Sequence, residues 1–169
     1  HPAPGPDMPV ADGFSYREQE LYCGDVRVAD IVHETGTPLY LYNLDAVLER
    51  YTRHRDAFAS FSHHTSYAVK ANSSLPLLQA LAAAGCGFDV NSRGELHRVL
   101  KAGADPRRIP LTGVGKSRAD IEDGLTAGIA LFNVESASEC RLISDLAVEK
   151  EMVADILLRL NPDVETETY

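Results

Sequence analysis

No apolar run in the 169-residue chain approaches the roughly 20 residues that a membrane-spanning helix needs. Positive charge is scarce too: 16 Lys and Arg stand against 25 Asp and Glu, a formal charge of −9. Phosphate binding needs clustered Lys and Arg, and no basic stripe with interleaved aromatics occurs, so neither a nucleic acid nor a membrane is an expected partner. Cysteine is limited to Cys23, Cys86 and Cys140, widely separated and without a CxxC pair. That arrangement argues against a disulfide framework and a zinc site, and suits free thiols in a reducing cytoplasm. Among the histidines, His63 and His64 are adjacent, and His97 has no carboxylate or second His at ligand spacing, so no metal is expected. The opening HPAPGPDMPVADG lacks a charged start followed by an apolar segment and does not read as a signal peptide.

With 44% hydrophobic and 24% charged residues, the composition suits one globular unit with a sizeable core. Residues 1–13, rich in Pro, Gly and Asp, read as a flexible tail. Alternation in Phe14-Ser15-Tyr16 and from Glu20 to Val26 predicts a short strand or hairpin. Val28 to Thr35 predicts a short helix stopped by Gly36 and Pro38, and Leu39-Tyr40-Leu41-Tyr42 an extended apolar piece. Asn43 is placed to N-cap a helix carrying Leu44, Val47, Leu48, Tyr51 and Phe58 at helical spacing.

Beyond residue 65 a rhythm sets in. Short apolar runs occur at 67–69, 87–90, 109–111, 131–134 and 156–158, and each gap holds one helical stretch: 75–84, 94–101, 119–126 and 136–150. Gly85, Gly103 and Gly128 fall where helices stop. Strands alternating with helices at roughly 20–26 residues per unit are the mark of successive βαβ units in a parallel sheet. A closed (β/α)₈ barrel needs eight strands, so five describe either a small open sheet or part of a barrel. The absence of a terminating feature after the fifth strand favours part of a barrel.

In such folds the chemistry gathers at the C-terminal ends of the strands. That rule selects Lys70 and Asn72, then Asp89, Asn91 and Ser92, then Thr112 and Gly113. Asn133, Glu135 and Ser136 follow the fourth strand, and Arg159 and Asn161 the fifth. Lys70 stands out because it follows Ala68-Val69 directly and precedes Ala71, which places it at the end of a buried strand. A buried Lys is either paired with an acid or held as an imine, because an unpaired ammonium is costly there. The residues alone leave both readings open. Gly113-Val114-Gly115-Lys116-Ser117 ends like a P-loop, but Pro110 occupies the position where the phosphate-binding loop needs its first Gly. It reads instead as a strand-to-helix turn capped by Ser117.

Several runs recur in order: GTPLYLYNLDAV (36–47), YAVKAN (67–72), GFDVNSRGEL (87–96), GVGKS (113–117), LFNVES (131–136) and LRLNPDV (158–164). Over roughly residues 14 to 169 the sequence closely resembles bacterial diaminopimelate decarboxylases. These belong to the fold-type III enzymes that use pyridoxal 5'-phosphate (PLP), with ornithine decarboxylase and alanine racemase. The resemblance implies an α/β fold, a partial (β/α)₈ TIM barrel of the alanine racemase type with about five strands. Residues 14–42 would pack with a C-terminal β domain, and 43–169 would form the incomplete barrel. It implies PLP as cofactor, held as a Schiff base by Lys70, which would also be catalytic. Asp89 would sit near the cofactor at the base of the site, Glu95 would support that region by pairing with another side chain, and Arg159 would lie by the ring and its phenolic oxygen. The implied reaction is decarboxylation of meso-2,6-diaminopimelate to L-lysine by a cytoplasmic homodimer. The groups that grip phosphate, stack on the ring and pair with its nitrogen would lie in later strands, so this stretch alone is expected to be inactive. Where relatives have a small residue before the Gly of SRGEL, this sequence has Arg93, a bulky charge beside the site entrance. The alternatives are a decarboxylase of another basic amino acid such as ornithine or arginine, a non-catalytic PLP-barrel module, and a small nucleotide-binding domain that the Pro110 mismatch disfavours.

Overall fold

A computed structural model describes residues 12–160 and 162. Of the tail read over residues 1–13, residues 1–11 lie outside the described residues, as do Asn161 and residues 163–169 with the end of the LRLNPDV run. The chain divides into two compact units, residues 1–60 and 61–169.

The first unit opens with an antiparallel meander of β1 (Phe14–Arg17), β2 (Glu20–Cys23) and β3 (Val26–Arg27). Phe14 pairs with Cys23 and Arg17 with Glu20. The tight β1–β2 turn is made by Glu18 and Gln19, both at positive φ, the backbone form that matches strand twist in two-residue hairpins. Helix α1 (Val28–Thr35) follows, as the spacing predicts. Residues 39–42 form no strand, and Tyr40 is 90% exposed. Helix α2 (Leu44–Ala57) begins where expected, with Asn43 Oδ1 accepting from the Ala46 amide at 2.9 Å. The Asn43 amide also donates to the Gly13 carbonyl, and Arg50 pairs with Asp12. These links bind α2 to the start of the first unit.

The second unit carries five parallel strands: β4 (Ser66–Ala68), β5 (Gly87–Asp89), β6 (Pro110–Leu111), β7 (Leu131–Val134) and β8 (Ile156–Leu158). Parallel pairing joins β4 to β5, β6 to β7 and β7 to β8, and a parallel bridge from Val90 to Leu111 links β5 to β6. Strand order therefore equals chain order. Between the strands lie α3 (Leu75–Ala83), α4 (Arg93–Lys101), α5 (Arg118–Ala127) and α6 (Ala137–Glu149), each packed on the next. A doubly wound sheet would reverse its strand order and split its helices between two faces. Sequential strands under one sequential helix layer are the winding of a (β/α) barrel.

Side-chain parity follows from the pleat. Phe88, Val90, Leu111, Phe132 and Val134 are buried, whereas Asp89, Thr112 and Asn133, at intervening positions, are half-buried. Phe132 lies against Gly124 of α5, so the apolar set faces the helices and the polar set the other side of the sheet. Each fully buried Phe or Leu contributes roughly 1.5–3 kcal/mol. All three β8 residues are exposed, and β8 has no further strand neighbour among the described residues.

A Cβ at Gly124 would stand 2.8 Å from Phe132 Cε1 and 3.0 Å from Ile129 Cδ1. In an open helix Ala is favoured over Gly by about 1 kcal/mol, but overpacking costs about 1–3 kcal/mol. Gly124→Ala is expected to lower the urea midpoint; a raised midpoint would show that the Phe132 ring yields freely.

Candidate active site

Strand β4 ends at Ala68, and the chain enters one 3₁₀ turn, Val69–Ala71. The turn buries Val69 completely and leaves Lys70 exposed. The premise that Lys70 is a buried lysine is thus corrected: the strand stops two residues short of it. The segment around it is held, because Tyr67 Oη donates to the Asn72 carbonyl at 3.2 Å and Asn72 Oδ1 accepts from the Ser74 amide at 2.9 Å. Asn72 Nδ2 is buried with no hydrogen-bond partner among the described residues.

Ala68 is in register with Asp89, so Lys70 lies two residues beyond the partner of that carboxylate. Asp89 belongs to a polar ladder across three strand ends. Asn133 Nδ2 donates to Thr112 Oγ1 at 2.8 Å, and Thr112 Oγ1 donates to Asp89 Oδ1 at 2.5 Å. Asn133 Oδ1 is buried without a partner among the described residues. At the outer edge, Arg159 donates from its amide to the Val134 carbonyl and from its guanidinium to Glu135 Oε1 at 2.9 Å. Glu95 accepts from the Asn91 amide at 2.8 Å, while its own amide donates to Ser92 Oγ at 3.3 Å. Its partner is thus backbone rather than a side chain, and the pair fixes the loop between β5 and α4. Beside β7 and β8 opens a cleft of about 630 Å³ lined by Val134, Ser136, Cys140, Leu158 and Arg159.

Arg93 opens α4 and turns to α5, its amide donating to Asp120 and its guanidinium pairing with Asp123 at 2.9 Å. Burial pushes the Asp120 carboxyl up, but hydrogen bonds from the Ser117 hydroxyl and from the Arg93 and Ser117 amides hold it below the ordinary Asp value.

The GVGKS segment is the predicted turn. Gly113 sits at φ +98°, and a Cβ there would meet the Asn91 carbonyl oxygen at 2.6 Å. Ser117 caps α5 in a reciprocal box with Asp120. Sequence reasoning missed its lysine, however. Lys116 is the buried lysine of this chain, its side chain 1% exposed, and its ammonium donates to the Gly113 carbonyl, the Asn133 carbonyl and Glu139 Oε1. Glu139, in the first turn of α6, is equally buried. The ammonium has three protons and meets three acceptors.

Residues 44–169 match the family model described as the pyridoxal-dependent decarboxylase, pyridoxal binding domain. The chain belongs to that family. A diaminopimelate decarboxylase from Pseudomonas aeruginosa is 44% identical over 158 residues, covering 94% of this chain and 38% of the relative. The relative from Vibrio cholerae is also 44% identical. A solved diaminopimelate decarboxylase from M. jannaschii superposes with a TM-score of 0.87 at 30% identity, covering 94% of this chain and 38% of that one. A lysine/ornithine decarboxylase from Vibrio vulnificus, complexed with cadaverine, reaches a TM-score of 0.69 at 26% identity over 79% of this chain and 35% of that one. The chain therefore spans about 38% of the length of the curated relatives it matches. In this pyridoxal-binding domain the strand-end rule gathered Asp89, Thr112 and Asn133 into one bonded group.

Breaking a buried ion pair costs about 3–5 kcal/mol, because the remaining charge is left unpaired. Lys116→Met is expected to lose that much in urea unfolding, and adding Glu139→Leu should recover a large part of it. A double variant no better than the single one would count against the pairing. The lowered Asp120 pKa carries its own expectation. Its stabilising contribution is complete above the ordinary Asp value of about 3.9 and is lost as pH falls through the lower folded value. Asp120→Asn should flatten the acid limb of a stability–pH curve and leave its slope near neutrality unchanged.

Proposed function

We propose that this chain is the cofactor-anchoring portion of a PLP-dependent decarboxylase that converts meso-2,6-diaminopimelate to L-lysine and CO₂. The observation that carries the reading is Lys70 itself. It is an exposed amine at the C-terminal end of β4, two residues beyond the register partner of Asp89, in a chain of this family. The surrounding groups suit a polar, charged ligand: one carboxylate already oriented, and two buried polar atoms, Asn72 Nδ2 and Asn133 Oδ1, that lack partners among the described residues.

When bound, PLP supplies the electron sink into which the bond to the departing carboxylate releases its electrons. Lys70 Nζ is the atom we assign to covalent attachment of the cofactor. Asp89, aimed by Thr112, places negative charge at the base of the site. Arg159, braced by Glu135, offers a cation at the edge where the ring would lie. Glu95 holds the β5–α4 loop through the Asn91 amide and acts through that loop.

Diaminopimelate is preferred over lysine or ornithine because relatives bearing that name reach 44% identity, against 26% for the lysine/ornithine enzyme. Homodimer assembly is proposed from the resemblance alone, and a cytoplasmic location from that and the free thiols Cys23, Cys86 and Cys140. Residues 1–169 by themselves are proposed to turn over little or no substrate, since the groups implied for phosphate and ring lie outside this sequence.

Incubation of the protein at its natural length with PLP, borohydride reduction and peptide mapping should place the label on Lys70 and lose it in Lys70→Ala. Folded protein that takes no label would sink the assignment. A panel of diaminopimelate, ornithine, arginine and lysine should then show turnover of diaminopimelate at least about tenfold above the others, the low end of what a single pocket difference discriminates.

A further inference from the structure

We infer that Thr112 is a positioning residue of this site: it aims the Asp89 carboxylate at the cofactor, with Asn133 fixing the direction of the threonine hydroxyl. The inference rests on the proposed function, since it takes Asp89 to face the cofactor. The hydrogen-bond directions are dictated by chemistry. A carboxylate accepts, so the single hydroxyl proton of Thr112 must go to Asp89 Oδ1. The hydroxyl oxygen then needs a donor, and Asn133 presents Nδ2. This orientation leaves Asn133 Oδ1 as a buried acceptor without a partner among the described residues, and leaves Asp89 Oδ2 outside the ladder.

The ladder is anchored at its far end. The main-chain carbonyl of Asn133 receives the buried Lys116 ammonium, which Glu139 and Gly113 hold from the other sides. Asn133 thus cannot shift without disturbing a buried ion pair, and the hydroxyl and carboxylate beyond it inherit that fixity. A carboxylate on a rigid strand, with one oxygen committed, has one direction left for the other.

The test uses the protein at its natural length and reads PLP affinity by titration of the bound cofactor's visible absorbance. A hydrogen bond to a charged group is worth enough that Thr112→Val should raise the Kd for PLP about tenfold and shift the bound absorbance band. Thr112→Ser, which keeps the hydroxyl, should stay within about twofold of wild type. Because Thr112 acts through Asp89, Thr112→Val should add less than about twofold in an Asp89→Asn background. Asn133→Ala should follow the same pattern, with a loss in the wild-type background and none beside Asp89→Asn; it serves if Thr112→Val does not fold. An unchanged Kd in Thr112→Val, a Thr112→Ser variant as impaired as the valine, or full additivity with Asp89→Asn would each overturn the inference. Wild type that binds no PLP and takes no label at Lys70 is the separate failure of the proposed function, whereas normal labelling with additive variants fails this inference alone.

Discussion

An ammonium taken out of water costs several kcal/mol unless each of its protons meets an acceptor and its charge meets a counter-charge. Lys116 meets both conditions, and its three acceptors come from three different places in the chain: the loop after β6, the end of β7 and the first turn of α6. One side chain therefore ties a loop, a strand end and a helix into a fixed arrangement. The tie is short of slack because Gly113 comes so close to the Asn91 carbonyl that no larger residue fits there. Three successive strand ends, after β5, β6 and β7, are thereby set relative to one another before any ligand is considered.

The strands and helices of the second unit were legible because apolar runs and Gly stops recur at regular intervals, and every predicted barrel strand is present. The caps read at Asn43 and Ser117 are present, and Ser92 and Ser136, selected only as strand-end residues, cap α4 and α6 in the same way. The Lys70 environment was misread for a local reason. Apolar neighbours suggest burial only while the chain stays extended, and here it winds into a turn that buries Val69 and exposes the next residue. Lys116 was invisible for the opposite reason. Its immediate neighbours are Gly115 and Ser117, which announce a turn, and its partner Glu139 is 23 residues away on another helix. No local pattern encodes such a contact. The same holds for Arg93, whose role depends on Asp120 and Asp123 of α5.

The short list of strand-end residues fared better than the arguments about single residues. Pleat alternation assigns opposite faces to neighbours, so a polar residue between buried apolar ones, as Asp89 between Phe88 and Val90, must face away from the helices. Register then brings such positions from adjacent strands side by side. Thr112 and Asn133 entered that list by position, and the register shown by Leu111 with Phe132 makes them neighbours. Their hydrogen bonds follow from residue chemistry once the positions are given.

The same alternation that builds the core thus builds the site, at a cost concentrated on one face. Phe88, Leu111 and Phe132 go to the helix layer and stabilise it, while the polar Asp89, Thr112 and Asn133 lose part of their water. The ladder offsets most of that loss, but Asn133 Oδ1 and Asn72 Nδ2 remain unsatisfied, and each such buried atom costs about 1–3 kcal/mol. Two apolar residues of similar shape would be more stable there. Polar groups held at such a cost, rigidly placed and beside an exposed amine, are what a binding surface requires, because a ligand that completes their hydrogen bonds recovers the deficit on binding. Thr65 Oγ1 and Arg108 Nε, before the starts of β4 and β6, are unsatisfied as well among the described residues, so what distinguishes the far strand ends is the bonded ladder of Asp89, Thr112 and Asn133 and the exposed amine beyond it.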